Sequence, residues 1–284
     1  MARRRREPRL LIIGGAEDRV DKATVLRRFV RLAGGASSRV LIIPAASSIP
    51  EEVGEAYTEV FARLGAGGSE IINPDSRLAA HGEELVQAVE RATGIFMTGG
   101  SQLRLSQFLP GTPLGEAIHR AHAAGTVVAG TSAGASIMSE FMISMGEEGF
   151  TPRQRDSQLS LGLGLLDGVV IDQHFGQRSR YGRLMSVVAG SPALLGIGID
   201  EDTAIEVRGR ATFRVHGSGV VHVIDCSTAT SDFPDARRGA PMLVSGAVVH
   251  SLPSGSSFDL RTRQLADFVE KHADIEVRRK SLRD

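Results

Sequence analysis

The chain has 284 residues, enough for one large α/β domain with a sizeable core. Hydrophobic residues make up 42% and charged residues 23%, which excludes a wholly disordered chain, a collagen-like repeat and a disulfide scaffold. Lys plus Arg and Asp plus Glu are 33 each, so no global field exists to hold nucleic acid or an anionic membrane.

Cys226 is the single cysteine, so no intramolecular disulfide and no CxxC metal site can form. All basic residues are arginine except Lys22, Lys271 and Lys280. That bias fits either codon usage or bidentate recognition of carboxylates. Residues 1–8, with Arg3 to Arg6, read as a disordered basic leader. The apolar run Leu10 to Ile13 is too short for an export signal core of about 7 residues, and no stretch approaches the roughly 18 apolar residues of a membrane span. The expected protein is cytoplasmic, with residues 9–284 forming a single domain.

Short apolar runs alternate with helical patterns along the chain. Arg9-Leu10-Leu11-Ile12-Ile13 ends in Gly14-Gly15, and Val40-Leu41-Ile42-Ile43 ends in Pro44. Gly94-Ile95-Phe96-Met97 ends in Thr98-Gly99-Gly100, and Val127-Val128-Ala129 ends in Gly130. Each reads as a strand buried on both faces, the pattern of a parallel sheet. Val53, Tyr57, Val60, Phe61 and Leu64 share one helix face, and Leu85, Val86, Val89 and Ala92 form another stripe. The predicted fold is therefore α/β: an open, mostly parallel sheet with helices on both faces. Beyond residue 195, Ile205 to Val207, Ala211 to Val215 and Val220 to Ile224 read as antiparallel hairpins at one edge. Ser227 to Pro241 reads as a loop and Phe258 to His272 as a closing helix, with Leu260, Leu265 and Phe268 on one side.

Gly130-Thr131-Ser132-Ala133-Gly134 is the sharpest chemical signal. It is a G-x-S-x-G pattern between a buried strand and the helix predicted from Ala135 onward. A tight turn there projects the Ser132 hydroxyl at the top of the sheet, and the helix N-terminus behind it favours a developing oxyanion. A Gly-rich turn with a capping serine is the bland alternative.

A nucleophilic serine needs a base. His119 and His122 fall on a polar-faced helix and are expected at the surface; His216, His222 and His250 fall in the edge hairpins. His174 follows the run Val169-Val170-Ile171-Asp172, at the same rim of the sheet as Ser132. The acid that orients it has several candidates. Asp200, Glu201 and Asp202 end another apolar run, Glu201 facing opposite to its neighbours, and Glu147 and Glu148 compete. Gly99 and Gly100, together with the Ala133 N–H, can form an oxyanion hole. Arg178, Arg180 and Arg183 lie within six residues, beside the candidate base. Arginine at a helix start opposes the helix dipole, which favours a role in gripping substrate carboxylates over a solvated face. No metal motif or dinucleotide fingerprint stands out, and the chemistry calls for no cofactor.

Taken together, Gly14-Gly15-Ala16-Glu17-Asp18, Ile43-Pro44-Ala45-Ala46-Ser47, Thr98-Gly99-Gly100-Ser101-Gln102, Gly130 to Ala135, Asp172-Gln173-His174-Phe175 with the three arginines, and Gly198 to Ala204 resemble the cyanophycinase family of serine peptidases, a group that also holds the aspartyl dipeptidases. The resemblance implies a fold like that of class I glutamine amidotransferases, of flavodoxin-like type, with serine in place of their cysteine. It implies a triad of Ser132, His174 and Glu201 and a substrate pocket of Gln102, Asp172, Gln173, Arg178, Arg180 and Arg183. It implies exopeptidase action on cyanophycin, a poly-aspartate chain with arginine joined to each β-carboxyl, releasing β-Asp-Arg dipeptides, and a homodimer. Ser101 departs from the acidic or amide residue that relatives often carry before the glutamine. The arginines would meet substrate carboxylates and Asp172 a substrate guanidinium. The rival readings are an isoaspartyl or Asp-X dipeptidase, a non-catalytic binding module, and a patatin-like acyl hydrolase, against which the Arg cluster speaks.

Overall fold

The computed structural model describes residues 7–155 and 157–268. Of the expected basic leader, residues 1–6 lie outside them. The first half of the chain alternates strands and helices in the order β1 (Arg9–Ile13), α1 (Thr24–Ala33), β2 (Val40–Ile43), α2 (Pro50–Arg63), β3 (Ser69–Ile71), α3 (Glu83–Arg91), β4 (Gly94–Met97), α4 (Gln102–Phe108), α5 (Pro113–Ala123), β5 (Val127–Thr131) and α6 (Ala133–Ser136). Strands β3, β2, β4, β5 and β1 pair in that order, all parallel.

The alternation of side chains explains why these strands are apolar throughout. Leu10 and Ile12 enter one core with Leu41, Ile43 and Val128. Leu11 and Ile13 enter another with Val40, Ile42 and Phe96. Each face is then covered by helices. Ala88, Val89, Leu114, Ala117 and Ile118 of α3 and α5 close the first. Phe29 of α1 and Tyr57 and Phe61 of α2 close the second, with Tyr57 and Phe96 ring centres 4.7 Å apart. A strand buried on both sides has no polar face to spare.

After α6 come β6 (Phe141–Met145), β7 (Gln158–Leu161), β8 (Val169–Gln173), α7 (Tyr181–Gly190), β9 (Leu195–Ile199), β10 (Thr203–Arg208), β11 (Thr212–Gly217), β12 (Val220–Asp225), β13 (Thr230–Ser231), β14 (Val244–Ser245), β15 (Val248–Pro253), β16 (Ser257–Asp259) and β17 (Gln264–Asp267). Strands β10, β11, β16 and β17 extend the parallel sheet antiparallel beyond β1, giving nine strands with antiparallel hairpins at one edge. The α/β class and its mostly parallel core thus agree with the sequence reading.

Three expectations change. Val220 to Ile224, expected among the edge hairpins of the main sheet, forms β12 of a second sheet, paired antiparallel with β9. The strand before His174 does not join the sheet that carries Ser132. Instead β8 pairs parallel with β9 in a separate four-stranded sheet, ordered β15, β12, β9, β8. Residues 200–202 cross from β9 in that sheet to β10 in the other, and so bring the two rims together. The closing helix over Phe258–His272 does not form where the chain is described. Asp259 accepts hydrogen bonds from the Arg261 and Thr262 N–H groups at 2.9 and 2.8 Å, making a turn between β16 and β17; residues 269–272 lie outside the described residues. No helix of the described residues is long and apolar enough to cross a membrane.

Candidate active site

Ser132 occupies the sharp turn between β5 and α6, with φ 54° and ψ −113°. Such a conformation costs a non-glycine residue on the order of 1–3 kcal/mol and persists because its surroundings enforce it. The flanking glycines permit it. A Cβ on Gly130 would collide with the Gly134 carbonyl, and one on Gly134 with the Met97 carbonyl. The Ser132 N–H donates to the Ile13 carbonyl at 3.0 Å, which ties the turn to the end of β1.

His174 follows β8, also in the left-handed region at φ 48°. Its N–H donates to the Gly14 carbonyl at 2.8 Å. Its Nε2 stands 3.0 Å from Ser132 Oγ, and its Nδ1 stands 2.6 Å from Glu201 Oε1. A carboxylate only accepts, so Nδ1 carries the proton and Nε2 offers its lone pair to the Ser132 hydroxyl. Burial pushes the imidazole below its ordinary value; the Glu201 hydrogen bond opposes this and the nearby Arg178 charge adds to it. The ring is therefore neutral at neutral pH, as a general base must be.

Among the three acids at 200–202, only Glu201 turns to the imidazole. Asp200 accepts from the Gly176 N–H at 2.9 Å. Asp202 accepts from the Asp18 N–H at 2.9 Å and from the Ser218 hydroxyl at 2.8 Å. Residues 200–202 form the turn between β9 and β10, with Asp202 at φ 47°, and it is this turn rather than strand alternation that separates Glu201 from its neighbours. Of the other competitors, exposed Glu148 lies 3.5 Å from Arg180 Nη2.

Gly99 adjoins the serine, a Cβ there falling 3.2 Å from Ser132 Cβ, and Gly100 packs on the Ala46 carbonyl. Among the described residues, the N–H groups of Gly99, Gly100 and Ala133 have no backbone acceptor. Beside them, Gln173 Oε1 lies 3.4 Å from Ser132 Oγ, and Gln173 Nε2 donates to Gln102 Oε1 at 3.1 Å. The Gln102 amide in turn donates to the Ile143 carbonyl.

The pocket residues divide by what they touch. Arg180, Arg183 and Gln102 line a cavity of about 360 Å³ together with Gly100, Ser101 and Ser144. Arg180 and Arg183 are buried, not a solvated face, and Arg180 Nε has no partner among the described residues. The Asp172 carboxylate, expected to meet a substrate guanidinium, is engaged within the protein by arginines. It is buried and accepts from Arg183 Nε at 2.6 Å and from Arg183 Nη2, with Arg180 Nη1 at 3.4 Å. It holds the two cations in place. Arg178 is exposed, and its N–H donates to the His174 carbonyl at 3.0 Å.

The model of peptidase family S51 matches residues 10–215. The chain belongs to that family. Family S51 thus accounts for most of the chain, in agreement with the resemblance read from the motifs. Over 264 residues the chain is 36% identical to a cyanophycinase of Geminocystis herdmanii, covering 92% of this chain and 97% of that one. It is 38% identical to a cyanophycinase of Nostoc sp., covering 92% and 89%. The crystal structure of a peptidase from an acI-B1 Actinobacterium superposes with a TM-score of 0.64 at 23% identity, covering 90% of this chain and 98% of that one, and shows a shared fold. This S51 chain is a peptidase.

Two features are not announced by the sequence pattern. His122, expected at the surface, is buried. The Gly14–Asp18 loop, carried only by the family resemblance, packs directly on the site: a Cβ on Gly15, at φ 102°, would overlap the His174 ring. A glycine pair closing a strand at the sheet rim was the available signal.

Proposed function

We propose that this chain is a cyanophycinase that hydrolyses cyanophycin to β-Asp-Arg dipeptides through an acyl-enzyme on Ser132. The observation that carries the reading is the Ser132–His174–Glu201 hydrogen-bonded series, with separations of 3.0 and 2.6 Å, opening beside a cavity lined by two buried arginines. Kinship to cyanophycinases over nine-tenths of the chain supports the substrate.

In this mechanism Ser132 Oγ attacks the peptide carbonyl while His174 Nε2 takes its proton. Glu201 holds the proton on Nδ1 and stabilises the imidazolium. The free N–H groups of Gly100 and Ala133 face the oxyanion, with Gly99 making room for it. His174 returns the proton to the departing amine. Water then attacks the acyl-enzyme, and the same imidazole serves as base and acid. Arg180 and Arg183, held by Asp172, offer donors to a substrate carboxylate; exposed Arg178 offers another at the rim. Gln102 and Gln173 fix the polar wall beside the serine.

Incubation with purified cyanophycin, followed by mass measurement of the soluble products, tests the proposal. Release of β-Asp-Arg is expected. Intact polymer together with cleavage of β-Asp-Leu would favour a dipeptidase of the same family instead. A homodimer belongs to the same proposal, dimers being the commonest closed assembly; sedimentation at about twice 30.2 kDa checks it.

A further inference from the structure

The loop from Gly14 to Asp18 touches the backbone around all three members of the proposed triad. Ile13, just before it, accepts the Ser132 N–H. Gly14 accepts the His174 N–H, and Gly15 accepts the Asp202 N–H at 2.9 Å, one residue beyond Glu201. Asp18 returns its own N–H to the Asp202 carboxylate. One short segment thus spaces three residues that lie 27 to 69 positions apart in the chain.

Glu17 pins that segment. Its side chain is fully buried, and its carboxylate bridges two hydroxyls on separate elements. Oε2 accepts from Thr131 Oγ1 at 2.5 Å, and Oε1 accepts from the Tyr57 hydroxyl of α2. Tyr57 is held as a donor, because Arg19 Nη2 donates to its oxygen at 2.8 Å while the Arg19 guanidinium sits 4.4 Å above its ring. Burial pushes the Tyr57 hydroxyl well above its ordinary value, and the Glu17 charge adds to that, so it keeps its proton. Thr131 is the residue immediately before Ser132. A buried carboxylate is costly unless its oxygens are occupied by donors, and a side chain that merely filled space here would be apolar.

We propose that Glu17 is a positioning residue for the hydrolytic reaction, holding the Thr131–Ser132 turn and the Gly14–Gly15 backbone in register so that Ser132 Oγ meets His174 Nε2. The proposal rests on the Ser132–His174–Glu201 reading. The carboxylate touches no reacting atom. Its effect passes through Thr131 on one side and through the loop on the other.

Three variants test it: Glu17→Gln, Thr131→Val and Thr131→Ser. Each is assayed for kcat and KM on cyanophycin and for the rate at which a fluorophosphonate labels Ser132, per folded molecule. Displacing reacting groups by a fraction of an ångström lowers turnover steeply, so E17Q and T131V are expected to reduce both kcat and labelling rate by about 10- to 100-fold. KM should move less than about twofold, because the cavity side chains are untouched. T131S, which keeps the hydroxyl, should restore most of the rate. If E17Q fails to fold, the T131V and T131S pair still decides. Folded T131V with wild-type kcat and labelling rate, whatever its melting temperature, overturns the positioning role. Absence of labelling in the wild-type chain overturns the triad reading and this inference with it.

Discussion

The Gly15 backbone lies directly against the His174 imidazole, at a position where φ is 102° and any Cβ would overlap the ring. Two unrelated demands therefore fall on one residue: a left-handed conformation that only glycine adopts readily, and a surface flat enough to wall the base. Gly15→Ala is expected to lower kcat at least about 100-fold, since the imidazole must move off Ser132. Circular dichroism should show an unchanged fold. A variant that is folded and fully active would mean that the His174 position tolerates displacement.

Asp172→Asn tests the buried cation pair. Arg183 loses the charge that receives its Nε and Nη2 donors, and Arg180 loses a neighbour. Breaking a buried pair by removing one partner costs about 3–5 kcal/mol. Denaturant titration should show a loss of that order, accompanied by a raised KM for cyanophycin. A direct contact between Asp172 and a substrate guanidinium would instead raise KM at unchanged stability.

The pH profile follows from His174. Burial lowers its affinity for a proton, so the neutral, basic form persists below the ordinary midpoint of 6.5. The acid limb of kcat/KM should therefore lie below pH 6.5. Arg178 contributes to the lowering, so Arg178→Ala should move that limb upward. A limb that stays fixed in this variant would remove Arg178 from the electrostatics of the base.

His122 makes a separate prediction about stability. Burial pushes its imidazole down from 6.5 to about 4, and its Nδ1 has no partner among the described residues. The folded chain holds the neutral form, whereas the unfolded chain takes up a proton below about 6.5. Stability contributed by this site is thus full above pH 6.5 and falls as pH drops toward 4, by roughly 3 kcal/mol at one unit of pKa per 1.36 kcal/mol. His122→Leu should flatten the dependence of melting temperature on pH across this window. An unchanged slope would assign the acid sensitivity to other groups.

The parallel core was legible because strands buried on both faces leave unbroken apolar runs, as in Leu10 to Ile13 and Val40 to Ile43. The turn at Ser132 was legible because its glycines are required locally. The second sheet was not, since pairing of β8 with β9 and of β9 with β12 depends on distant partners and no run announces which sheet it joins. The supposed helix after Phe258 fails for a local reason: Asp259 captures the Arg261 and Thr262 N–H groups, and Arg263 adopts φ 57°, so Leu260 and Leu265 flank a turn. The burial of Arg180 and Arg183 could not be read from charge spacing alone. It depends on Asp172, one residue whose facing is set by the end of β8.

Polymer breakdown should require the Ser132 hydroxyl as its activated nucleophile. Stoichiometric titration with a fluorophosphonate, followed by peptide mapping and assay on cyanophycin, tests it most directly. One adduct per chain is expected, on Ser132, with activity falling in proportion to labelling and no adduct in Ser132→Ala. Polymer breakdown that survives complete modification of Ser132, or a chain that takes up no label while still releasing β-Asp-Arg, would contradict it.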